Sequence, residues 1–424
     1  MKVLYQLVGV VGFAASIAQA HFAPQTSVEG CRGDRSNDSD RLIALSDTIR
    51  CWLTEAEVRI LHQNNTGFVD DTDGLWTEGT RLGRERRALR LNAKTYPTIP
   101  AFQAVVKAVN AKVNSNDLKT LLTTYVNKFT TRHISSSQGL ASSIWLFDQV
   151  VALSNAYDRA DIKTKVIKYD HGWGQVSVIF RIDPVKPAVN NDLLILGAHQ
   201  DTVNDYGGKA APGADDDGSG TVTIFMALKY LLSSPQWVPT RPIEFHWYSA
   251  EEYDTVKKTG LQGSKQIATA YAKAKVDVYA MLQNDMTGWT RGGTKVISLT
   301  DDFTSLPLNQ FLEVCITTYL TTKVSHNTCG YGCSDHASWF NAGYAVAYPF
   351  EEDGPVNPNV HSSKDTIATL DFDHMAEFTR LAVAFVVELS QAKTKLPVIV
   401  DVVEPEVIDV DVLTTFGDGH VIVD

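Results

Sequence analysis

Long apolar runs, basic residues and cysteine are all scarce in this sequence, and each shortage excludes something. Beyond the first twenty residues no stretch is long and apolar enough to cross a bilayer, which argues against a helical membrane protein. Lys and Arg number 38 against 49 Asp and Glu, a net charge of −11. That balance argues against nucleic acid or an anionic membrane as the main partner. Only five cysteines occur in 424 residues (Cys31, Cys51, Cys315, Cys329 and Cys333), and no CxxC pair among them, so a Cys-rich zinc site is disfavoured. Two site patterns are missing as well. The acids of "APGADDDGSG" (211–220) are contiguous, without the D-x-D-x-D-G alternation of a calcium loop. Ser219, in "DGSGT", lacks the G-x-S-x-G spacing of a serine nucleophile and reads as a small residue opening a helix.

What is present begins at the N-terminus. Lys2 precedes the mostly apolar "VLYQLVGVVGFAASIA", followed by the small-x-small triplet Ala18-Gln19-Ala20. This is the pattern of a secretory signal peptide over 1–20, cut before His21, and the expected location is secreted and extracellular. In an oxidising compartment Cys329 and Cys333 can close a tiny disulfide loop and Cys31 can pair with Cys51. Cys315 falls in an apolar helical pattern and is expected to be a buried free thiol. Asn37 and Asn64 lie in Asn-x-Ser/Thr sequons and are candidate glycosylation sites.

Residues 21–95 are polar and approach their end in the basic run "RLGRERRALR" (81–90). The run reads either as a processing site closing a propeptide or as a solvated charge cluster. From Tyr96 the pattern is globular, and 96–393 is expected to form the main domain. Residues 394–424 form an acidic, Val-rich extension without helical period, an appended β segment or a flexible tail. Within the main domain, strand-like and helix-like segments alternate. "DLLILGAHQD", "RPIEFHWYSAEE", "VYAMLQNDM" and "YAVAYPFE" read as strands, with "SGTVTIFMALKYLLSS", "GLQGSKQIATAYAKA", "SLPLNQFLEVCITTYL" and "FDHMAEFTRLAVAFVVELSQA" as helices. The expected fold is an α/β three-layer sandwich around a central mixed, largely parallel sheet.

In such sheets ligands bind beyond the carboxyl ends of the strands. The residues standing there are His199 and Asp201, then Glu251 and Glu252, then Asp285, with Asp215, Asp216 and Asp217 opening the helix after the first strand. A helix N-terminus offers too little positive charge for so many carboxylates. A divalent metal, more than one, explains them most economically, and nitrogen and oxygen donors without thiolate suit zinc.

"GAHQDTV", "APGADDDGSG", "SAEE", "LQNDMT", "CGYGCSDHASWFNAGY" and "NPNVHSSKDT" occur in the order found in secreted bacterial and fungal leucine aminopeptidases, and from Tyr96 to Ala392 the chain resembles these dizinc exopeptidases of peptidase family M28. The resemblance implies two zinc ions, with Asp216 bridging them, His199 and Asp285 completing one shell, and Glu252 and His361 the other. Asp201 would orient the imidazole of His199. Glu251 would be the general base for a hydroxide between the metals, and Tyr331 would support the tetrahedral intermediate. It also places Met286, Leu299, Tyr348, Phe350 and Val360 at or near an apolar pocket for the first side chain. The loop "EEDGPV" and Asn284 depart from the family pattern without touching a ligand position. The expected substrates are peptides with a free N-terminus and an apolar, leucine-like first residue, and the expected partners include the chain's own propeptide. A monomeric zymogen is expected. Two alternatives stay open: a single-zinc cyclising transferase on the same fold, and a non-catalytic peptidase-like binding protein.

Overall fold

The computed structural model describes residues 30–46, 49–63, 66–72, 94–186, 191–205, 208–252, 260–391 and 421–423. The expected leader over 1–20, Asn64, the basic run 81–90 and most of the C-terminal extension lie outside the described residues.

The N-terminal segment is more than a polar extension. Strands β1 (Arg41–Ala44), β2 (Arg50–Leu53) and β3 (Val69–Asp70) form an antiparallel sheet in the order β2-β1-β3. Helix α1 (Glu55–Gln63) follows β2. It starts in a capping box: Thr54 Oγ1 accepts from the Glu57 amide at 3.3 Å, and the Glu57 carboxylate accepts from the Thr54 amide at 2.6 Å. Ile43, Leu45, Cys51, Leu53, Val58 and Leu61 pack between sheet and helix. A Cys31–Cys51 disulfide staples this small core, which has too little apolar volume to hold itself firmly.

The main unit begins with helices α2 (Gln103–Asn110), α3 (Ser115–Lys128) and α4 (Ser137–Ala156). Then come β4 (Ile162–Tyr169), β5 (Ser177–Pro184), β6 (Leu193–His199), α5 (Gly218–Leu232), β7 (Ile243–Tyr248), α6 (Gln262–Lys273) and β8 (Val278–Gln283). Strand β9 (Val296–Thr300), α7 (Leu306–Tyr319), β10 (Lys323–Asn327), α8 (His336–Asn341), β11 (Val346–Ala347), β12 (Pro349–Phe350) and α9 (Phe372–Gln391) complete it. A last strand, β13 (Val421–Val423), comes from the C-terminal extension.

The central sheet runs β11-β8-β6-β7-β5-β4-β13. The four strands from β11 to β7 are mutually parallel, and the pairings from β7 outward to β13 are antiparallel. Strands β6, β7 and β8 are buried along their whole length, as strands covered on both faces must be. Leu194, Leu196 and Ala198 of β6 face α3, α4, α5 and α9, while Leu193 and Ile195 face α6 and α8. Helices α5 and α6 thus leave β6 and β7 toward opposite faces, and the order β8-β6-β7 makes β6 the switch point of the sheet.

"YAVAYPFE" is two short strands rather than one. Val346–Ala347 extends the central sheet, and after Tyr348 the chain crosses to pair Pro349 and Phe350 with β9 in a second sheet of order β10-β9-β12. Pro349 cannot donate to a ladder, which suits an edge rather than a continued central strand.

Candidate active site

All the candidate ligands except His361, which lies on a loop, owe their place to an element end. His199 is the last residue of β6, Glu251 and Glu252 follow β7 within four residues, and Asp285 stands two beyond β8. Asp216 sits just before α5, and its bond to Asp217 is cis. The chain turns sharply here: Ala250, Met286 and His361 all have positive φ, at 58°, 57° and 53°. Such left-handed backbone costs energy for residues with a Cβ and collects where a site over-determines it.

The three adjacent aspartates do three different things. Asp217 caps α5, its Oδ1 accepting from the amides of Gly220 at 2.8 Å and Met286 at 3.2 Å, and its Oδ2 from His199 at 3.1 Å. Gly220 permits this closeness, since a Cβ there would lie 2.4 Å from Asp217 Oδ1 and 2.1 Å from the Asn284 carbonyl. Asp215 accepts from Asn357 Nδ2 at 2.8 Å and from the Gly288 amide at 3.2 Å. Asp216 alone faces the crevice: Oδ1 is 3.1 Å from His199 Nε2 and Oδ2 is 3.0 Å from His361 Nε2. Asp285 Oδ1 stands 3.5 Å from His199 Nε2, and Glu252 Oε2 stands 3.0 Å from His361 Nε2. His199, Asp217 and Asp285 form one cluster of close donor atoms, and Asp216, Glu252 and His361 another. In the first cluster Asp217 is committed to backbone amides, whereas Asp216 offers one free-facing oxygen to each imidazole.

Glu251 Oε2 lies 3.9 Å from His199 Nε2. Asp201 accepts from the amides of Glu251 at 3.0 Å and Glu252 at 3.1 Å, and its Oδ1 is 3.6 Å from His199 Nδ1. It therefore fixes the β7 end at least as much as it fixes the imidazole. Ser334 Oγ donates to Asp285 Oδ2 at 2.5 Å. Cys329 and Cys333 are disulfide-bonded, and Tyr331 between them lines the same cavity as Glu251. Cys315 is the buried free thiol the sequence implies.

The electrostatics of the crevice call for positive charge. Burial pushes the Glu251 carboxyl well above its usual range, against the pull of His199, and Asp335 and Asp285 push the same way. Burial also lifts Glu252, to about 7, with His361 opposing. Asp216 would be raised by burial, but the imidazoles of His199 and His361 hold it below its ordinary value. Burial disfavours both imidazolium ions. The carboxylates override it, Asp285 and Glu251 at His199 and Glu252 at His361, and hold both histidines well above 6.5. A divalent cation supplies the same charge with neutral imidazoles and releases those protons. The donors fit zinc: carboxylate oxygen and imidazole nitrogen, with Asp285 Oδ1 buried and without a hydrogen-bond partner among the described residues.

Met286, Tyr348, Phe350, Val356 and Val360 line the apolar side of the cavity. Leu299 does not. It lies in β9 opposite Pro349, fully buried in the main core, and is absent from the cavity wall. In the "EEDGPV" loop, Glu351 and Glu352 turn inward to accept from the amides of Trp289 and Arg291, and Val356 alone reaches the cavity. The buried Asn284 stands directly before Asp285 and does not line the cavity.

The N-terminal unit also lines the cavity. Thr66 to Asp70 border the cavity together with Glu251, Glu252 and Asp285. A Cβ on Gly67 would lie 2.1 Å from the Tyr331 ring, so only glycine fits at this approach. Ala44 and Val69 pack with Leu261, Phe303 and Ala337, and Lys265 Nζ donates to the Asp70 carbonyl at 3.2 Å.

Several supporting residues are not visible in the linear sequence. Asp365 receives the amides of Asp215 at 2.9 Å and Asp216 at 3.0 Å from 150 positions away. The buried Arg132 donates to the carbonyls of Gln200, Pro212 and Gly213 at 2.7, 2.6 and 2.8 Å, clamping the loop between β6 and α5. Only an unusual buried arginine could have flagged it, and burial is not written in one sequence.

A parallel-strand crevice lined by clustered histidines and carboxylates, with one carboxylate between two imidazoles, is the site of a metal-dependent hydrolase. The sequence profile of peptidase family M28 matches residues 177–386. Leucine aminopeptidase 1 of Pyrenophora teres f. teres is 38% identical over 365 residues, covering 84% of this chain and 89% of that protein. Leucine aminopeptidase 1 of Sclerotinia sclerotiorum is 36% identical over 397 residues, covering 91% and 98%. The LapA aminopeptidase of Legionella pneumophila superposes with a TM-score of 0.68 at 26% identity, over 83% of this chain and 98% of that one. The chain belongs to peptidase family M28, among its aminopeptidases.

Proposed function

We propose that this chain is a secreted aminopeptidase with two zinc ions, releasing apolar, leucine-like first residues from peptides. The observation that carries the reading is the placement of Asp216, with one carboxylate oxygen near each of two imidazole nitrogens. In this reading His199, Asp285 and the shared Asp216 hold one ion, and Glu252, His361 and Asp216 the other. When bound, the ions supply Lewis acidity toward a water and toward the scissile carbonyl. Glu251 takes the proton of the attacking water and returns it to the leaving amine. Tyr331, which lines the same cavity, donates to the oxyanion in this reading. Asp201 anchors both glutamates through their amides, so the base does not drift. Met286, Tyr348, Phe350 and Val360 receive the first side chain.

The N-terminal unit is read as a propeptide that covers the site until it is removed, because the segment from Thr66 to Asp70 shares the cavity with Glu251. The sequon at Asn37 is exposed, as an acceptor of sugar must be.

The test is metal content by mass spectrometry, with hydrolysis of leucine p-nitroanilide measured with and without a chelator after proteolytic release of the N-terminal unit. Two zinc ions per chain and chelator-sensitive release are expected. One zinc without release would favour a cyclising transferase, and neither metal nor release would make the chain a binding protein.

A further inference from the structure

The two imidazoles of the crevice are not held alike. His199 is buried, its side chain only 1% exposed, and its ring is gripped by the core around the β6 end. His361 lies on a loop, its side chain 33% exposed, with its backbone at φ 53° in the left-handed region. No helix or strand carries that ring, yet its Nε2 comes to 3.0 Å from both Asp216 and Glu252.

One residue grips His361 at two points. The Asp205 amide donates to the His361 carbonyl at 3.0 Å, and His361 Nδ1 donates to Asp205 Oδ2 at 2.8 Å. The first contact stabilises the left-handed backbone. The second sets the ring plane and keeps a proton on Nδ1, so that Nε2, the nitrogen between Asp216 and Glu252, is the one that gives up its proton to a metal ion. By contrast, Asp201 stands 3.6 Å from His199 Nδ1 and spends its oxygens on the amides of Glu251 and Glu252. The segment from His199 to Asp205 thus carries a ligand at its start and, six residues on, the support for a ligand more than 150 positions away.

We infer that Asp205 is the positioning residue for His361, orienting its imidazole toward the metal shared with Glu252. The inference rests on the reading of His361 as a metal ligand. Carboxylates that orient a metal-bound histidine change metal affinity about 10–100-fold when removed. Asp205→Ala therefore weakens one of the two ions by that factor and leaves the other unchanged.

The experiment is zinc affinity of the full chain by titration against a competing chelator, for wild type, Asp205→Ala, Asp205→Asn and His361→Ala, with the absorption spectrum of the cobalt-loaded forms. Expected are selective weakening of one ion in Asp205→Ala, partial recovery in Asp205→Asn, which keeps an acceptor oxygen without the charge, and unchanged melting of the metal-stripped proteins. Loss of one ion in His361→Ala with wild-type affinity in Asp205→Ala would overturn the inference and leave the ligand set intact. Wild-type affinity in His361→Ala would overturn the ligand assignment itself. Equal weakening of both ions, or a lowered melting point of stripped Asp205→Ala, would make Asp205 a structural residue instead. If the alanine variant fails to fold, Asp205→Asn carries the same comparison, and wild-type affinity together with a wild-type cobalt spectrum there would overturn the inference.

Discussion

Replacing Glu251 with glutamine separates the three roles a buried acid in this crevice could have. The change keeps volume and shape, and the backbone amide that ties Glu251 to Asp201 at 3.0 Å is untouched. The strand end and Glu252 beside it therefore stay in place. What disappears is the ability to accept a proton, a contribution worth about 10²–10⁴ in rate, or about 2.7–5.4 kcal/mol of barrier at 1.36 kcal/mol per decade. The expected outcome is a fall in kcat of that size on leucine p-nitroanilide, with zinc content and melting temperature as in wild type. If Glu251 instead holds a metal, zinc content falls together with rate. If it is only a buried acid, the neutral glutamine relieves the cost of burial, and the variant keeps its activity and melts higher. Retained turnover would refute the assignment.

Two more perturbations probe different parts of the molecule. Burial lowers His336 to about 3, and neither ring nitrogen has a hydrogen-bond partner among the described residues. The unfolded chain binds this proton below about 6.5 and the folded protein does not. Stability is therefore full above that pH and is lost by about 1.4 kcal/mol per unit as pH falls toward 3. His336→Phe, which preserves the stack on Tyr348, should flatten the acid limb of denaturant-derived stability, and an unchanged slope would show that the histidine does not titrate on unfolding. Proteolysis within the basic run 81–90 should raise kcat/KM on small anilides, because the Gly67 segment no longer lies against Tyr331; equal rates before and after release would rule out a cover.

The site was legible wherever chemistry and chain order coincide. Acids and a histidine at the ends of successive buried segments mark one rim of a parallel sheet, and "DDDG" before an apolar helical run marks a helix start. Which aspartate faces inward cannot be told from composition, because it follows from the capping bonds of Asp217 and the side-chain and amide contacts of Asp215. Partners that meet only after folding stayed invisible: Asp365 under the aspartate triplet, Arg132 across the loop, Ser334 on Asp285. Leu299 misled because an apolar residue in a strand near a pocket looks the same whether it points toward it or into the core. The fold of the N-terminal segment was hidden for a different reason, since its short strands depend on a disulfide and a neighbouring surface more than on periodicity.

One peptide bond separates Asp216, which faces the crevice, from Asp217, which starts the helix through the centre of the core. The donors are consequently arranged by folding itself, through bonds that run between protein groups. A chain stripped of metal should behave as an empty receptor with its shape intact, and ions should pass in and out by dialysis without denaturation. That makes the protein a convenient host for a spectroscopic reporter such as cobalt.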